Sequence, residues 1–503
     1  MIIIKNNKIN KKGLIITIIM VLFIVCFMGT ISTVSADDVD EDSIVSDEQV
    51  DNEIKNEIDE VSAKLSKEPA INSRRYAVYD RISKKVIYGK NEDVKSAMAS
   101  TTKIMTATVV LEKADLNQEV VVSKKAGWTG GSRLGLKSGD KTTIKDLLYG
   151  LMLRSGNDAA VALAEAVGGS VEGFAELMNK KAEELELKST HFVTPHGLDN
   201  SEHYTTASEL AILTDYAMNN ETFKKIVGTK QTTIYINNQP RNIMNTNELL
   251  GVLDGVAGVK TGFTNNAGRC LVTETKRNSM DIIVVVLGAD TKKNRTQDSV
   301  RLIEYTFKNY KIQNIEAKVL EEFARWKNIN EKRISIIKGK KSVLELEMGE
   351  LSLKEMALKE GEIEKINVEI NCLNTLEAPV KEKQRIGTLT VKMNGEILEM
   401  TDIFCREGIE KKDWKDYFKE ILKELIRMPE KIDKIFSLYV VNWKSLWYTF
   451  DENKDKGEFY EAKENNKNCN NMCSSFATKF KCNFCWRWKL WQIWQWKFIK
   501  RLG

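Results

Sequence analysis

In this 503-residue chain, the pair with the most chemical reach is Ser100 and Lys103, in the stretch Ala99-Ser100-Thr101-Thr102-Lys103. Residues three apart share a helix face. A helix starting at Ser100 therefore sets the Lys103 amine one turn above the hydroxyl. A serine hydroxyl is a weak nucleophile near neutral pH and needs an adjacent base. Lysine serves when burial and nearby positive charge lower its pKa. Two later stretches carry further polar chemistry: Ser155-Gly156-Asn157 and Lys260-Thr261-Gly262. Taken singly, each has a bland reading. Ser155 or Asn157 would cap a helix beginning near Asp158, and Lys260 to Gly262 would be a strand running into a turn. The three together, in this order, favour a catalytic cleft.

The three histidines, His191, His196 and His203, offer a competing chemistry. Their spacing does not match the helical His-Glu-x-x-His zinc pattern. The reading is loop ordering, with no metal site. No Gly-x-Ser-x-Gly elbow is present, so a Ser-His-Asp triad is not expected either.

The elements around these residues must hold them rigidly. Ile104 to Leu111 is apolar or small nearly all round, as in a helix buried inside a domain. Tyr76 to Asp80 and Lys85 to Tyr88 flank Arg81-Ile82-Ser83-Lys84 as a β-hairpin. Glu119 to Val122 reads as a short strand, and the glycine-rich Gly130 to Asp140 as a loop over the cleft. Thr143 to Asp146 opens a capped helix, and a second helix runs from Asp158 to Val167. Ser155 then lies in the tight connection between them. Strands follow at Gly255 to Thr261, Arg269 to Glu274 and Asp281 to Leu287, and a helix at Arg295 to Asn309 closes the domain. Helices in the middle and hairpin strands at both ends predict an α+β fold with a mostly antiparallel sheet.

Met98 to Ala107 resembles the active-serine segment of the D-alanyl-D-alanine carboxypeptidases, the low-molecular-mass penicillin-binding proteins. Ser-x-x-K, S-D-N and K-T-G form the motif set of penicillin-binding proteins and class A β-lactamases; here Gly156 stands in the middle slot of the second motif. Leu147 to Ala160, His196-Gly197-Leu198-Asp199, His203 to Ala207 and Asp254 to Leu271 are similar to the same family. The resemblance implies a β-lactamase/transpeptidase-like catalytic domain over residues 71–312. It implies that Ser100 attacks the terminal peptide carbonyl with Lys103 taking its proton, and that Ser155 relays a proton to the departing amine. Asn157 is expected to orient the substrate amide. Lys260, with Thr261 and Gly262 on the strand edge, keeps the cleft positive and binds the substrate carboxylate. The backbone amides of Ser100 and Phe263 would hold the oxyanion. The implied partners are a peptidoglycan pentapeptide and β-lactam inhibitors, and no cofactor. β-Lactamase activity on the same fold is the nearest alternative, but no Glu-x-x-Leu-Asn lies between Ser155 and Lys260. A non-catalytic wall-binding or penicillin-sensing role is the other.

Lysine plus arginine (76) nearly balances aspartate plus glutamate (71), so bulk charge points to no nucleic-acid partner. Lys5, Lys8, Lys11 and Lys12, the apolar run Leu14 to Met28, and Val34-Ser35-Ala36 predict an export signal over 1–36, or an uncleaved anchor. Either reading places the body outside the cytoplasmic membrane. Residues 37–70 are acidic and read as a disordered spacer. Cys270, Cys372 and Cys405 read as single buried thiols, not a disulfide framework.

Residues 313–410 alternate apolar and charged positions, as at Ser342 to Leu346, Ile366 to Ile370 and Thr388 to Met393, and predict a small β-domain. Asn394-Gly395 is a hairpin turn. Residues 411–428 form an amphipathic helix with Trp414, Phe418, Ile421, Leu422 and Leu425 on one face. It is too short and charged to span a membrane but suited to lie on one. The tail, 429–503, is atypical. Its tryptophan ladder, Trp486 to Lys497, suits a membrane-surface segment. Cys469, Cys473, Cys482 and Cys485 leave little room for a zinc knuckle. We favour a reading-frame shift, which would turn each TGG tryptophan codon into glycine.

Overall fold

The computed structural model describes residues 55–56 and 68–426. The export signal, nearly all of the acidic spacer and the tail from 429 onwards lie outside the described residues, as do the four tail cysteines.

The first hairpin is β1 (Arg75–Asp80) and β2 (Lys85–Lys90). A 3₁₀ turn, Ala99–Thr102, leads into α1 (Lys103–Lys113). Every residue from Lys103 to Val110 is buried, as the all-round apolar pattern required. Short β3 (Glu119–Val121), α2 (Lys124–Gly127) and β4 (Lys141–Thr143) follow, with β3 and β4 paired. Thr143 caps α3 (Ile144–Leu153) by accepting from Asp146 N at 3.1 Å. Ser155 makes the tight link to α4 (Asn157–Gly168) at φ +58°. Next come α5 (Val171–Glu184), α6 (Ala207–Met218), α7 (Glu221–Val227) and a hairpin of β5 (Gln231–Ile236) and β6 (Gln239–Met244).

The chain then returns to the main sheet with β7 (Val256–Thr264), β8 (Gly268–Arg277) and β9 (Met280–Ala289). The sheet order is β2-β1-β9-β8-β7, antiparallel throughout. Asn278 at φ +53° makes the turn between β8 and β9. The strand β9 is buried along its whole length: α8 (Lys292–Asn309) covers Ile282, Val284 and Val286 on one face with Val300, Leu302 and Ile303, and Ile283, Val285 and Leu287 on the other face join the helical core with Leu210 and Leu213 of α6.

The β-domain does not begin as strands. After β10 (Tyr310–Asn314), residues Ile315–Asn330 form a helix, α9, that the alternation reading misses. Asn314 caps it, and Ile315, Val319 and Phe323, four apart, are its buried stripe. Strands β11 (Ser335–Ile337), β12 (Leu346–Met348), β13 (Glu355–Lys359), β14 (Ile366–Cys372), β15 (Thr375–Glu377), β16 (Arg385–Met393) and β17 (Glu396–Cys405) follow. The strand expected at Ser342 to Leu346 is shifted to Leu346–Met348. The main β-sheet here has the order β12-β17-β16-β14. The β16–β17 turn is Asn394-Gly395, both at positive φ (52° and 88°), as an Asn-Gly hairpin requires. Strands β10 and β13 pair, and Ala357 N donates to Asp80 Oδ2 at 3.0 Å, tying this region to the first hairpin. Cys270 and Cys405 are buried free thiols, but Cys372 is only half-buried.

Helix α10 (Trp414–Ile426) belongs to a separate compact unit. Trp414, Phe418, Ile421 and Leu422 are all exposed on it. Among the described residues, no helix is long and apolar enough to cross a membrane.

Candidate active site

The nucleophile turn is 3₁₀ rather than the first turn of an α-helix. Three residues per turn eclipse positions i and i+3. Lys103 Nζ therefore lies 2.7 Å from Ser100 Oγ. The amine donates to Asn157 Oδ1 at 2.8 Å and to His196 O at 2.9 Å, which leaves its lone pair to face the Ser100 hydroxyl. Three oxygens thus fix a fully buried lysine head over the serine. The turn itself is held by Thr101 Oγ1 donating to Met98 O (2.6 Å) and Thr102 Oγ1 donating to Ala99 O (2.8 Å).

Asn157 is the first residue of α4, and Gly156 occupies the cap position with no side-chain cap bond. The capping reading of Ser155 and Asn157 therefore fails. Asn157 bridges the lysine to the glycine-rich loop: its Nδ2 donates to Gly130 O at 2.8 Å and its backbone N to Ser132 O at 2.8 Å. Ser155 is buried, and among the described residues its Oγ has no hydrogen-bond partner. A buried orphan hydroxyl calls for an explanation; one held at positive φ in a tight interhelical link is a candidate to meet a ligand.

Strand β7 brings in the third motif. Lys260 and Thr261 are buried. Lys260 Nζ donates to Thr261 O at 2.8 Å, and Thr261 Oγ1 pairs with Thr246 Oγ1 at 2.7 Å. Gly262 passes close to the nucleophile turn: a Cβ there would stand 3.0 Å from Ser100 N and 3.2 Å from Thr101 N. Glycine lets β7 pack this tightly without pushing the nucleophile turn aside. Phe263 follows, with the Arg269 guanidinium 3.9 Å above its ring.

The loop between α5 and α6 does more than order itself. Besides His196 O on the lysine, Pro195 O accepts from Thr106 Oγ1 at 2.6 Å. His203 Nδ1 accepts from Val193 N at 2.9 Å, so Nε2 carries the proton and donates to Thr102 Oγ1 at 2.8 Å. Asp158 is another residue the three motifs leave out. Its carboxylate accepts from the backbone N–H groups of Leu134, Gly135 and Leu136 at 2.8–2.9 Å and pins the glycine-rich loop to α4. The visible signals were His196-Gly197-Leu198-Asp199 and the acid directly after Asn157. Among the described residues, no cluster of histidine, cysteine and carboxylates is arranged to hold a metal.

Gly197 sits at φ +88° with its Cα against the nucleophile turn, where a Cβ would run into Ala99 O and Thr102 Oγ1. Gly197→Ala should cost roughly 2–4 kcal/mol through strain and overpacking. A thermal melt unchanged from wild type would refute this packing.

Burial above all holds the His203 imidazole down at about 4. The folded protein keeps this ring neutral while an unfolded histidine protonates near 6.5. The unfolded state therefore binds more protons between those values, and stability falls as pH drops from 6.5 to 4. The loss amounts to up to about 3 kcal/mol. His196, held down at about 3 chiefly by burial, contributes with the same sign over this range, so His203→Phe should make that part of the melting temperature against pH curve shallower without levelling it; an unchanged slope would show that His203 carries none of it.

Residues 62–291 match the D-alanyl-D-alanine carboxypeptidase family model, and residues 327–411 match the model for the C-terminal domain of penicillin-binding protein 5. The chain is 32% identical over 365 residues to the D-alanyl-D-alanine carboxypeptidase DacF of Bacillus subtilis, covering 71% of this chain and 91% of the relative. It is 33% identical over 368 residues to DacC of Escherichia coli, covering 68% and 85%. Penicillin-binding protein 5 from Haemophilus influenzae is similar in structure, with a TM-score of 0.55 at 27% identity over 69% of this chain and 99% of that one.

Proposed function

The chain belongs to the D-alanyl-D-alanine carboxypeptidase family, and from that premise we propose how its residues carry out the reaction. The enzyme removes the terminal D-alanine from peptidoglycan stem peptides through an acyl-enzyme and is acylated by penicillins. Ser100 Oγ attacks the carbonyl of the last peptide bond as Lys103 accepts its proton. The observation that carries this is the 2.7 Å approach of Nζ to Oγ, with Asn157 Oδ1 and His196 O fixing the amine from two other directions. Burial disfavours a charged amine, which suits a proton acceptor. The backbone N–H groups of Ser100 and Phe263 receive the oxyanion as it forms. Ser155 Oγ, buried and without a partner among the described residues, relays the proton taken up by Lys103 to the departing D-alanine amine, so that the amine leaves neutral and both side chains return to their starting state. Asn157 orients the substrate amide. Lys260 and Thr261, with the close backbone of Gly262, bind the terminal carboxylate. Water then releases the shortened peptide from Ser100.

We assign catalysis to residues 71–312 and a supporting role to the β-domain, 313–410. The substrate lies outside the cytoplasm, and the basic and apolar N-terminal segment is read as the export signal. The exposed apolar side chains of α10 are proposed to rest on the membrane surface, with lysines reaching the headgroups. Replacing both Trp414 and Phe418 with Ser should at least halve co-sedimentation of the full chain with anionic vesicles and leave turnover intact. Undiminished co-sedimentation would refute the helix as the anchor.

The activity is tested by D-alanine release from a peptide ending in Lys-D-Ala-D-Ala. Release by the full chain, with slow recovery after penicillin, is the expected result. No release and rapid penicillin hydrolysis would move the assignment to a β-lactamase.

A further inference from the structure

The oxyanion hole assigned above has its two amides on different elements, Ser100 on the 3₁₀ turn and Phe263 on β7. Their separation sets how well a developing charge is held, and catalysis is sensitive to misplacement of this order. One short segment touches both elements. We propose that Pro195–His203 is a clasp that fixes the nucleophile turn against the β7–β8 hairpin, with His203 and Asp199 as its two positioning residues.

On the nucleophile side, His203 Nε2–H bonds Thr102 Oγ1 at 2.8 Å, and that hydroxyl donates onward to Ala99 O at 2.8 Å. Ala99 is held at φ +48°, directly before Ser100. The imidazole therefore acts on the backbone that presents the Ser100 amide. Gly197 packs against the same Ala99 carbonyl. On the hairpin side, the Asp199 carboxylate accepts from Thr264 Oγ1 at 2.5 Å and from Asn266 N at 3.1 Å. Thr264 directly follows Phe263, and its hydroxyl also accepts from Ala267 N at 3.1 Å, closing the hairpin turn. Short local bonds stiffen the segment. Gly197 N donates to Thr194 Oγ1 (3.1 Å), Leu198 N to His196 Nδ1 (3.2 Å) and His203 N to Asn200 O (3.0 Å).

Asp199 is exposed and His203 is buried. A purely structural role would make only the buried member matter. A clasp makes both matter, and through the same step. Freeing either end releases the segment, so the second loss adds little.

The clasp rests on the assignment of Ser100 as nucleophile, and the test separates the two. The rate of acylation by a fluorescent penicillin is measured on the full chain for Ser100→Ala, Asp199→Ala, His203→Phe and the Asp199→Ala/His203→Phe double variant, with melting temperatures alongside. Each single clasp variant should slow acylation about 10- to 100-fold, chiefly in the covalent step. The double variant should fall within about threefold of the slower single. His203→Gln, which can still reach Thr102, should recover most of the rate. If His203→Phe does not fold, Thr102→Val breaks the same link and must give the same non-additivity. Fold-losses that multiply in the double variant, or an Asp199→Ala rate equal to wild type, would overturn the clasp while leaving the nucleophile in place. Labelling that survives Ser100→Ala would overturn both.

Discussion

Ser100→Ala will abolish covalent labelling by penicillin and lower D-alanine release by a factor of order 10⁴ or more, since the acyl-enzyme then has no oxygen to form on. The change removes one hydroxyl from a turn whose shape does not depend on it. The 3₁₀ turn is held by Thr101 and Thr102 bonding to Met98 and Ala99, and by Gly262 packing from β7. Lys103 keeps its bonds to Asn157 Oδ1 and His196 O. The melting temperature should therefore stay within about 3 °C of wild type. Full activity with a normal melt would remove Ser100 from the chemistry. Lost activity with a collapsed melt would instead mark the hydroxyl as structural.

Lys103→Met has the second largest expected effect. Methionine matches the length and buried volume of the stem but cannot take a proton. Loss of the general base should slow acylation by roughly 10²–10⁴-fold. Penicillin should still enter the cleft, because Lys260 and Thr261 on β7 are untouched, so the covalent rate constant should fall far more than non-covalent affinity weakens. Two acceptors, Asn157 Oδ1 and His196 O, lose a donor in this variant. An unpaired buried acceptor costs about 1–3 kcal/mol, offset in part because a buried lysine head no longer has to be desolvated. A modest change in melting temperature with a large loss of rate is the signature of a base. A fall in affinity with the covalent step unchanged would recast Lys103 as a substrate-binding charge.

Much of this site was legible because its chemistry sits on regular elements. The all-round apolar stretch after Lys103 announced a buried helix, and that helix carries the base. Hairpin periodicity located β1 with β2 and β7 with β8, and hence the strand bearing Lys260 and Thr261. Asn394-Gly395 fixed a turn from the backbone preference of two residues. Failures came where irregular backbone does the work. The bonds of His196 O, Pro195 O and the Leu134 to Leu136 amides belong to main-chain groups, which every residue carries, so no residue type signals them. The 3₁₀ character of the nucleophile turn is also invisible, because i and i+3 share a face in either helix. Helix α9 was missed for another reason. Its stripe of Ile315, Val319 and Phe323 is narrow, and the charged residues between them imitate the alternation of a half-buried strand.

If the acyl group forms on Ser100, locating it on the chain shows it directly. The full chain is trapped with penicillin, digested, and the modified peptide found by mass spectrometry. A single adduct on the peptide carrying Ser100 is expected. An adduct on Ser155, the other buried serine of the cleft motifs, or on any residue with Ser100 unmodified, would contradict it.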